Sequence, residues 1–205
     1  MIIYLVRHAE SVPRGDLSEK EKDGIGLSEF GKLQATASAK KLKKFRVEYI
    51  YSSPLARAKE TAEIISMSTG VGMTLDDRLA EFATDMESKD PNYLKSLKAD
   101  AYRSPDNKMP AGESLTDAVA RFGRVLDEIS RQSFESVCVV THRVIMESFL
   151  AKYFGTRPTD HEWMVPAGIT ALETKKDGKT KILFCDKKFR DLSLALTTLK
   201  RKLRA

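Results

Sequence analysis

Apolar residues in this chain gather in short runs. Longer stretches between the runs carry apolar residues every three to four positions, the pattern of strands alternating with helices. Ile2-Ile3-Tyr4-Leu5-Val6 reads as a buried strand, and so do residues 47–51 and the run Val137-Cys138-Val139-Val140-Thr141. Ser28 is placed as an N-cap for a helix reaching about Phe45. Ser53-Pro54 predicts the cap and first turn of a helix that carries residues 57–65, with Arg57 about one turn inside it. Ser114-Leu115-Thr116-Asp117 has capping-box spacing and opens the most regular helix, with Leu115, Val119, Phe122, Val125 and Ile129 as its core-facing stripe. Met146, Phe149, Leu150 and Tyr153 form a second such face, stopped by Gly155 and Pro158. Residues 170–174 and 180–185 flank Asp177-Gly178, a hairpin signal.

The alternation specifies an α/β chain with a mostly parallel sheet and an antiparallel edge. Two stretches break the rhythm. Residues 11–26 are polar and read as a loop. Residues 82–111 carry Pro91, Pro105 and Pro110, with only a short helical pattern over 93–102.

Chemistry sits where the apolar runs stop. The first run ends on Arg7-His8-Ala9-Glu10, the run over 137–141 ends on His142, and residues 47–51 lead into Ser52-Ser53-Pro54-Leu55-Ala56-Arg57. Ligands of open α/β sheets bind at the carboxyl ends of strands, so Arg7, His8, Arg57 and His142 are brought to one sheet edge. Two planar, permanently charged guanidiniums can grip phosphate oxygens, and a neutral imidazole can attack phosphorus. That combination is a phosphate site.

These blocks resemble the histidine phosphatase superfamily, which includes phosphoglycerate mutase and fructose-2,6-bisphosphatase. Arg7-His8-Ala9-Glu10-Ser11 stands where that family has Arg-His-Gly-Glu-Ser/Thr. The stretch Leu27-Ser28-Glu29-Phe30-Gly31-Lys32-Leu33-Gln34-Ala35, the stretch 52–62, Gly112-Glu113-Ser114 and Val140-Thr141-His142 follow in the family's order. The resemblance implies a three-layer α/β/α sandwich and a phosphatase acting on phosphomonoesters through a phosphohistidine on His8. It implies a phosphate clamp of Arg7 and Arg57, with His142 as second histidine. Arg78-Leu79-Ala80-Glu81 resembles the family's Leu-x-Glu block and makes Glu81 the proton donor. Glu10 is read as orienting the loop. Residues 82–111 correspond to the family's substrate-selecting insertion.

Three departures bear on the site. Ala9 replaces glycine, Arg14 stands where many members have asparagine, and Arg143 follows His142 where glycine is common. Ser11, Arg14 and Arg143 are candidate further substrate contacts, and the two arginines suit a substrate with a second anionic group. Two rival functions are a phosphoglycerate mutase using the same residues and a phospho-ligand-binding module without turnover. Mutases of the family carry a distinctive stretch around the acid that Glu81-Phe82-Ala83-Thr84-Asp85 does not resemble.

Composition narrows the partners. The 205 residues carry a net charge of +6, but from Asp186 onward seven Lys/Arg face two Asp. The basicity therefore belongs to the tail, and no nucleic-acid motif accompanies it. The expected partner is a small phosphorylated substrate or a phosphoprotein, with nucleic acid unlikely. No run approaches the ~20 apolar residues of a membrane span. The opening run is too short for a signal-peptide core and has no basic flank, so cytoplasmic residence is expected. No metal-ligand spacing appears, and no cofactor is expected. Cys138 and Cys185 lie in apolar runs and read as small buried hydrophobes. Residues 1–190 are read as a single catalytic domain. Residues 191–205, with Leu192, Leu196, Leu199 and Leu203 at helical spacing, are read as a basic C-terminal helix or tail.

Overall fold

The computed structural model describes residues 1–13, 17–155, 164–175 and 180–185. Its frame is a six-stranded sheet of order β3-β2-β4-β1-β5-β6. The strands are β1 (Ile2–Arg7), β2 (Tyr49–Ser52), β3 (Met73–Leu75), β4 (Ser136–Thr141), β5 (Ile169–Thr174) and β6 (Thr180–Cys185). β3, β2, β4 and β1 run parallel, while β5 and β6 are antiparallel to their neighbours. The hairpin expectation thus holds for its two strands, while its Asp177-Gly178 turn lies outside the described residues.

The pleat of β1 shows how the layers form. Successive side chains point to opposite faces, so Ile3 and Leu5 join one core while Tyr4 and Val6 join the other. The first core takes the inner faces of α5 (Leu115–Ser130) and α6 (Arg143–Phe154). The second takes α2 (Glu29–Lys44) and α3 (Ala56–Thr69). The result is the expected three-layer α/β/α arrangement. The stripe Leu115, Val119, Phe122, Val125 and Ile129 is buried throughout. Each such side chain contributes roughly 1.5–3 kcal/mol through removal from water. On α6, Met146, Phe149 and Leu150 are buried, but Tyr153 is 54% exposed and only leans its ring on Phe149.

The polar stretch 11–26 is not loop throughout. It holds the short helix α1 (Glu19–Asp23), started by a Ser18–Glu21 capping box. The 82–111 stretch contains α4 (Pro91–Arg103), capped by Asp90 with Pro91 in its first turn. Cys138 is buried, and burial pushes its thiol up, whereas Cys185 is only partly buried. Among the described residues no helix is long and apolar enough to cross a membrane. The predicted tail, 191–205, lies outside the described residues.

The first turn of α2 presses on the segment that follows β1. A Cβ on Gly31 would stand 2.0 Å from the Glu10 carbonyl oxygen. Gly→Ala inside a helix normally gains about 1 kcal/mol, but here overpacking reverses the sign at a cost of about 1–3 kcal/mol. Gly31→Ala is therefore expected to lower Tm by several degrees, at about 2–4 °C per kcal/mol for this size. A thermal melt showing a rise would contradict that packing.

Candidate active site

The carboxyl ends of β1, β4 and β2 deliver the predicted residues to one edge. His8 follows β1, and its N–H donates to Thr141 O at 2.8 Å, while Ser53 N–H donates to Val140 O at 3.0 Å. Neighbouring strand ends are thus stitched past the ladder. His8 and His142 meet with ring centroids 5.2 Å apart and an interplanar angle of 56°. Both are buried, as is Arg57.

The ring orientations follow from hydrogen bonding. His8 Nδ1 lies 2.8 Å from Ala9 O. A carbonyl oxygen only accepts, so the ring proton sits on Nδ1 and the in-plane lone pair on Nε2. His142 Nε2 pairs with Ser53 Oγ at 2.8 Å.

That pairing explains a difference from the sequence reading. Ser53 does not cap α3; its N-cap position is Leu55, with no side-chain cap bond. The Ser53 hydroxyl serves His142 and receives the Leu55 N–H at 3.3 Å. The helix therefore starts at Ala56, and Arg57 lies in its first turn rather than a turn inside. Its guanidinium is thereby close to a helix N-terminus, where partial positive charge adds to its own.

Each arginine is held by the backbone. Arg7 Nη1 donates to Met164 O at 2.6 Å, and Arg57 Nη1 donates to Lys22 O at 3.1 Å with Asp23 Oδ1 at 3.7 Å. The second contact comes from α1, which also binds the opposite rim. Lys20 N–H donates to Met86 O at 3.0 Å, and the Lys20–Glu87 and Lys89–Glu21 pairs close at 3.2 and 2.9 Å.

Ala9 is buried, and its N–H donates to Thr61 Oγ1 at 3.0 Å. Its φ is not positive, so alanine replaces glycine here without backbone strain. Glu10 accepts the Ser28 hydroxyl at 2.8 Å, and its backbone N–H donates to Gln34 Oε1 at 2.9 Å. It anchors the loop to α2. Ser11 forms an isolated bridge with Leu27, and Arg14 lies outside the described residues.

Glu81 lies at the start of α6. Its Oε2 accepts Val144 N–H at 3.1 Å, and its Oε1 accepts Ile145 and Phe82 N–H at 3.0 and 3.1 Å. His142 occupies the N-cap without a side-chain cap bond, so a distant carboxylate caps the helix that His142 begins. Arg121 fixes the chain leading to Glu81 by donating to the carbonyls of Arg78 (2.6 Å) and Ala80 (3.2 Å). Glu113 holds Arg121 in turn through two hydrogen bonds of 3.2 and 2.9 Å. The Gly-Glu-Ser block thus acts through an arginine that sequence reading did not single out.

Beside Arg143, a candidate contact already named from the sequence, stand Glu147 and Tyr102, which the sequence reading did not single out. Arg143, the first residue of α6, has a half-exposed side chain, and its Nη1 is 3.7 Å from Oε1 of the buried Glu147 one turn later. Burial pushes the Glu147 carboxyl up to about 7, with Glu81 adding to the rise while Arg143 and Arg7 oppose it. Burial, then the negative charges of Glu147 and Glu81, push the Tyr102 hydroxyl of α4 up to about 12. Among the described residues, no group of three or more His, Cys, Asp or Glu side chains gathers as a metal site.

A family model, histidine phosphatase superfamily (branch 1), matches residues 3–187. "Probable phosphoglycerate mutase GpmB" of Cronobacter sakazakii is 31% identical over 133 residues, 61% of this chain and 61% of its own length. The chain therefore spans about three fifths of that relative. "Putative phosphoserine phosphatase 2" of Hydrogenobacter thermophilus is 26% identical over 197 residues, covering 88% of this chain and 93% of that one. Among solved structures, mycobacterial glucosyl-3-phosphoglycerate phosphatase in complex with VO3 superposes with a TM-score of 0.73 at 22% identity. The match covers 90% of this chain and 98% of the other, a likeness of fold.

Proposed function

Because this chain belongs to the histidine phosphatase superfamily, branch 1, we propose that it hydrolyses phosphomonoesters through a phosphohistidine on His8. The observation that carries the reading is the pair of buried imidazoles 5.2 Å apart, with the His8 ring proton committed to Ala9 O. The Nε2 lone pair attacks phosphorus as the P–O ester bond breaks. Arg7, Arg57 and His142 take up the charge on the phosphoryl oxygens. The leaving oxygen receives its proton from Glu81. Among the described residues Glu81 Oε2 accepts one N–H bond, and its second lone pair is the place for that proton. Water then attacks the phosphohistidine, Glu81 takes a proton from it, and phosphate leaves.

The GpmB relative favours a second reading, transfer of the phosphoryl group between carbons of glycerate. Assaying phosphate release and 2-/3-phosphoglycerate exchange side by side, with a chelator present, separates the two. Release from several esters with negligible exchange is the expected result, and exchange outpacing release would replace the phosphatase by a mutase. Glu81→Gln tests the proton path. It is expected to slow alkyl phosphates by about 10²–10⁴-fold and p-nitrophenyl phosphate, whose leaving group needs no proton, far less. Equal losses on both would remove Glu81 as the donor.

A further inference from the structure

Glu81 must meet the leaving oxygen from a segment with little structure of its own. It follows the 3-10 turn Asp77–Leu79 and belongs to no helix or strand. Backbone carbonyls in such a stretch have no ladder partners, and buried ones need donors from elsewhere. Here three successive carbonyls are met by side chains. Arg121 Nη1 serves Arg78 O and Ala80 O, and between them Thr141 Oγ1 donates to Leu79 O at 2.7 Å.

The middle bond lies deepest. Arg121 and its partner Glu113 are partly exposed, whereas Thr141 and Leu79 are fully buried. Thr141 closes β4, where the four residues before it, Val137-Cys138-Val139-Val140, are all apolar. A valine would fill that place in the strand as well, with no hydroxyl to desolvate. A β-branched side chain is stiff about χ1, so the strand dictates where the hydroxyl points. The Thr141 carbonyl in turn accepts the His8 N–H at 2.8 Å, and the next residue is His142. One residue thus joins the backbone of His8, the second histidine and the chain that carries Glu81.

Resting on the phosphatase reading, we infer that Thr141 is a positioning residue for proton transfer: its hydroxyl, through the Leu79 carbonyl, sets where the Glu81 carboxyl stands relative to His8 and His142. It acts through Glu81 rather than on the substrate. A misplacement of about 1 Å at a reacting group costs about 10²-fold. Loss of the hydroxyl is therefore felt in the step that uses Glu81. Attack by His8 is spared, because its backbone bond runs to the Thr141 carbonyl, which any side chain leaves in place.

The test uses the full chain, with a chelator present, on phenyl and p-nitrophenyl phosphate, whose leaving oxygens differ in how much they need a proton. Thr141→Val keeps the shape and removes the hydroxyl. It is expected to lower the phenyl-to-p-nitrophenyl ratio of kcat/KM by about tenfold. Thr141→Ser keeps the hydroxyl and is expected to hold that ratio within about threefold of the wild type. In a Glu81→Gln background, Thr141→Val is expected to change the ratio by less than about threefold, because the group it positions is gone. Ratios cancel any loss of folded enzyme, so a poorly folded variant still reports. Equal losses on both esters in Thr141→Val, a serine variant as impaired as the valine, or ratio changes that multiply in the double variant overturn the inference and leave the phosphatase reading standing. A wild type inactive on phenyl phosphate alone overturns it together with Glu81 as the donor. A wild type inactive on both esters overturns the phosphatase reading and the inference with it.

Discussion

His8→Ala is expected to lower phosphomonoester hydrolysis by about 10⁴-fold or more, the scale on which removal of a nucleophile is felt. The fold should survive, because the Nδ1 hydrogen bond to the carbonyl of the next residue is local and ties no distant element. The His8 backbone N–H still donates to Thr141 O in the variant. A labelled substrate, quenched under alkaline conditions that preserve phosphohistidine, is expected to leave one phosphoryl group on the wild type and none on the variant. Activity within tenfold of wild type, with unchanged Tm, would show that the attack on phosphorus comes from elsewhere.

The second large effect belongs to Arg57. Arg57→Ala is expected to reduce kcat/KM by about 10²–10³-fold, the cost of deleting one preorganised donor from a charge-stabilising site. Weaker competition by vanadate or inorganic phosphate should accompany it. Arg57→Lys should not restore the loss, since a single ammonium cannot present the guanidinium's planar fork of donors. The Lys22 carbonyl that accepts from Nη1 also fixes the head against turning, which an alkylammonium would not reproduce. Losses under tenfold in the alanine variant would take Arg57 out of the phosphate clamp.

What the sequence made legible follows from how local each signal is. A buried strand announces itself by an unbroken apolar run, so β1 and β4 could be placed, and β2 from the β-favouring residues of 47–51, and the residues at their ends followed. α5 was readable from its stripe and capping box. Two of the failures share a cause, which is that the deciding partner is far along the chain. Ser53 looks like a helix cap, but His142, 89 residues away, engages its hydroxyl. Arg121 looks like a solvated helix residue until it meets the carbonyls of Arg78 and Ala80. Glu147 sits inside an otherwise apolar stretch, where periodicity reports a core face and is silent about one buried carboxyl. β3 has three residues, two of them exposed, too few for any period to show. α1 lies in a polar stretch and is held by its capping box and by ion pairs to the 86–89 segment, none of which an apolar pattern records.

The place of β1 in the sheet has a consequence for how the protein is born. Its two neighbours are Ser136–Thr141 and Ile169–Thr174, so β1 pairs only with strands made much later than itself. At roughly 5–20 residues per second, translation leaves this apolar segment without sheet partners for several seconds. During that interval it presents two unpaired edges, the feature that invites aggregation and chaperone capture. α2, β2 and α3 emerge earlier and can begin to pack on one another. The two imidazoles meet only after residue 142 has left the ribosome, so a stalled or truncated nascent chain carries His8 and Arg57 but no paired-histidine site.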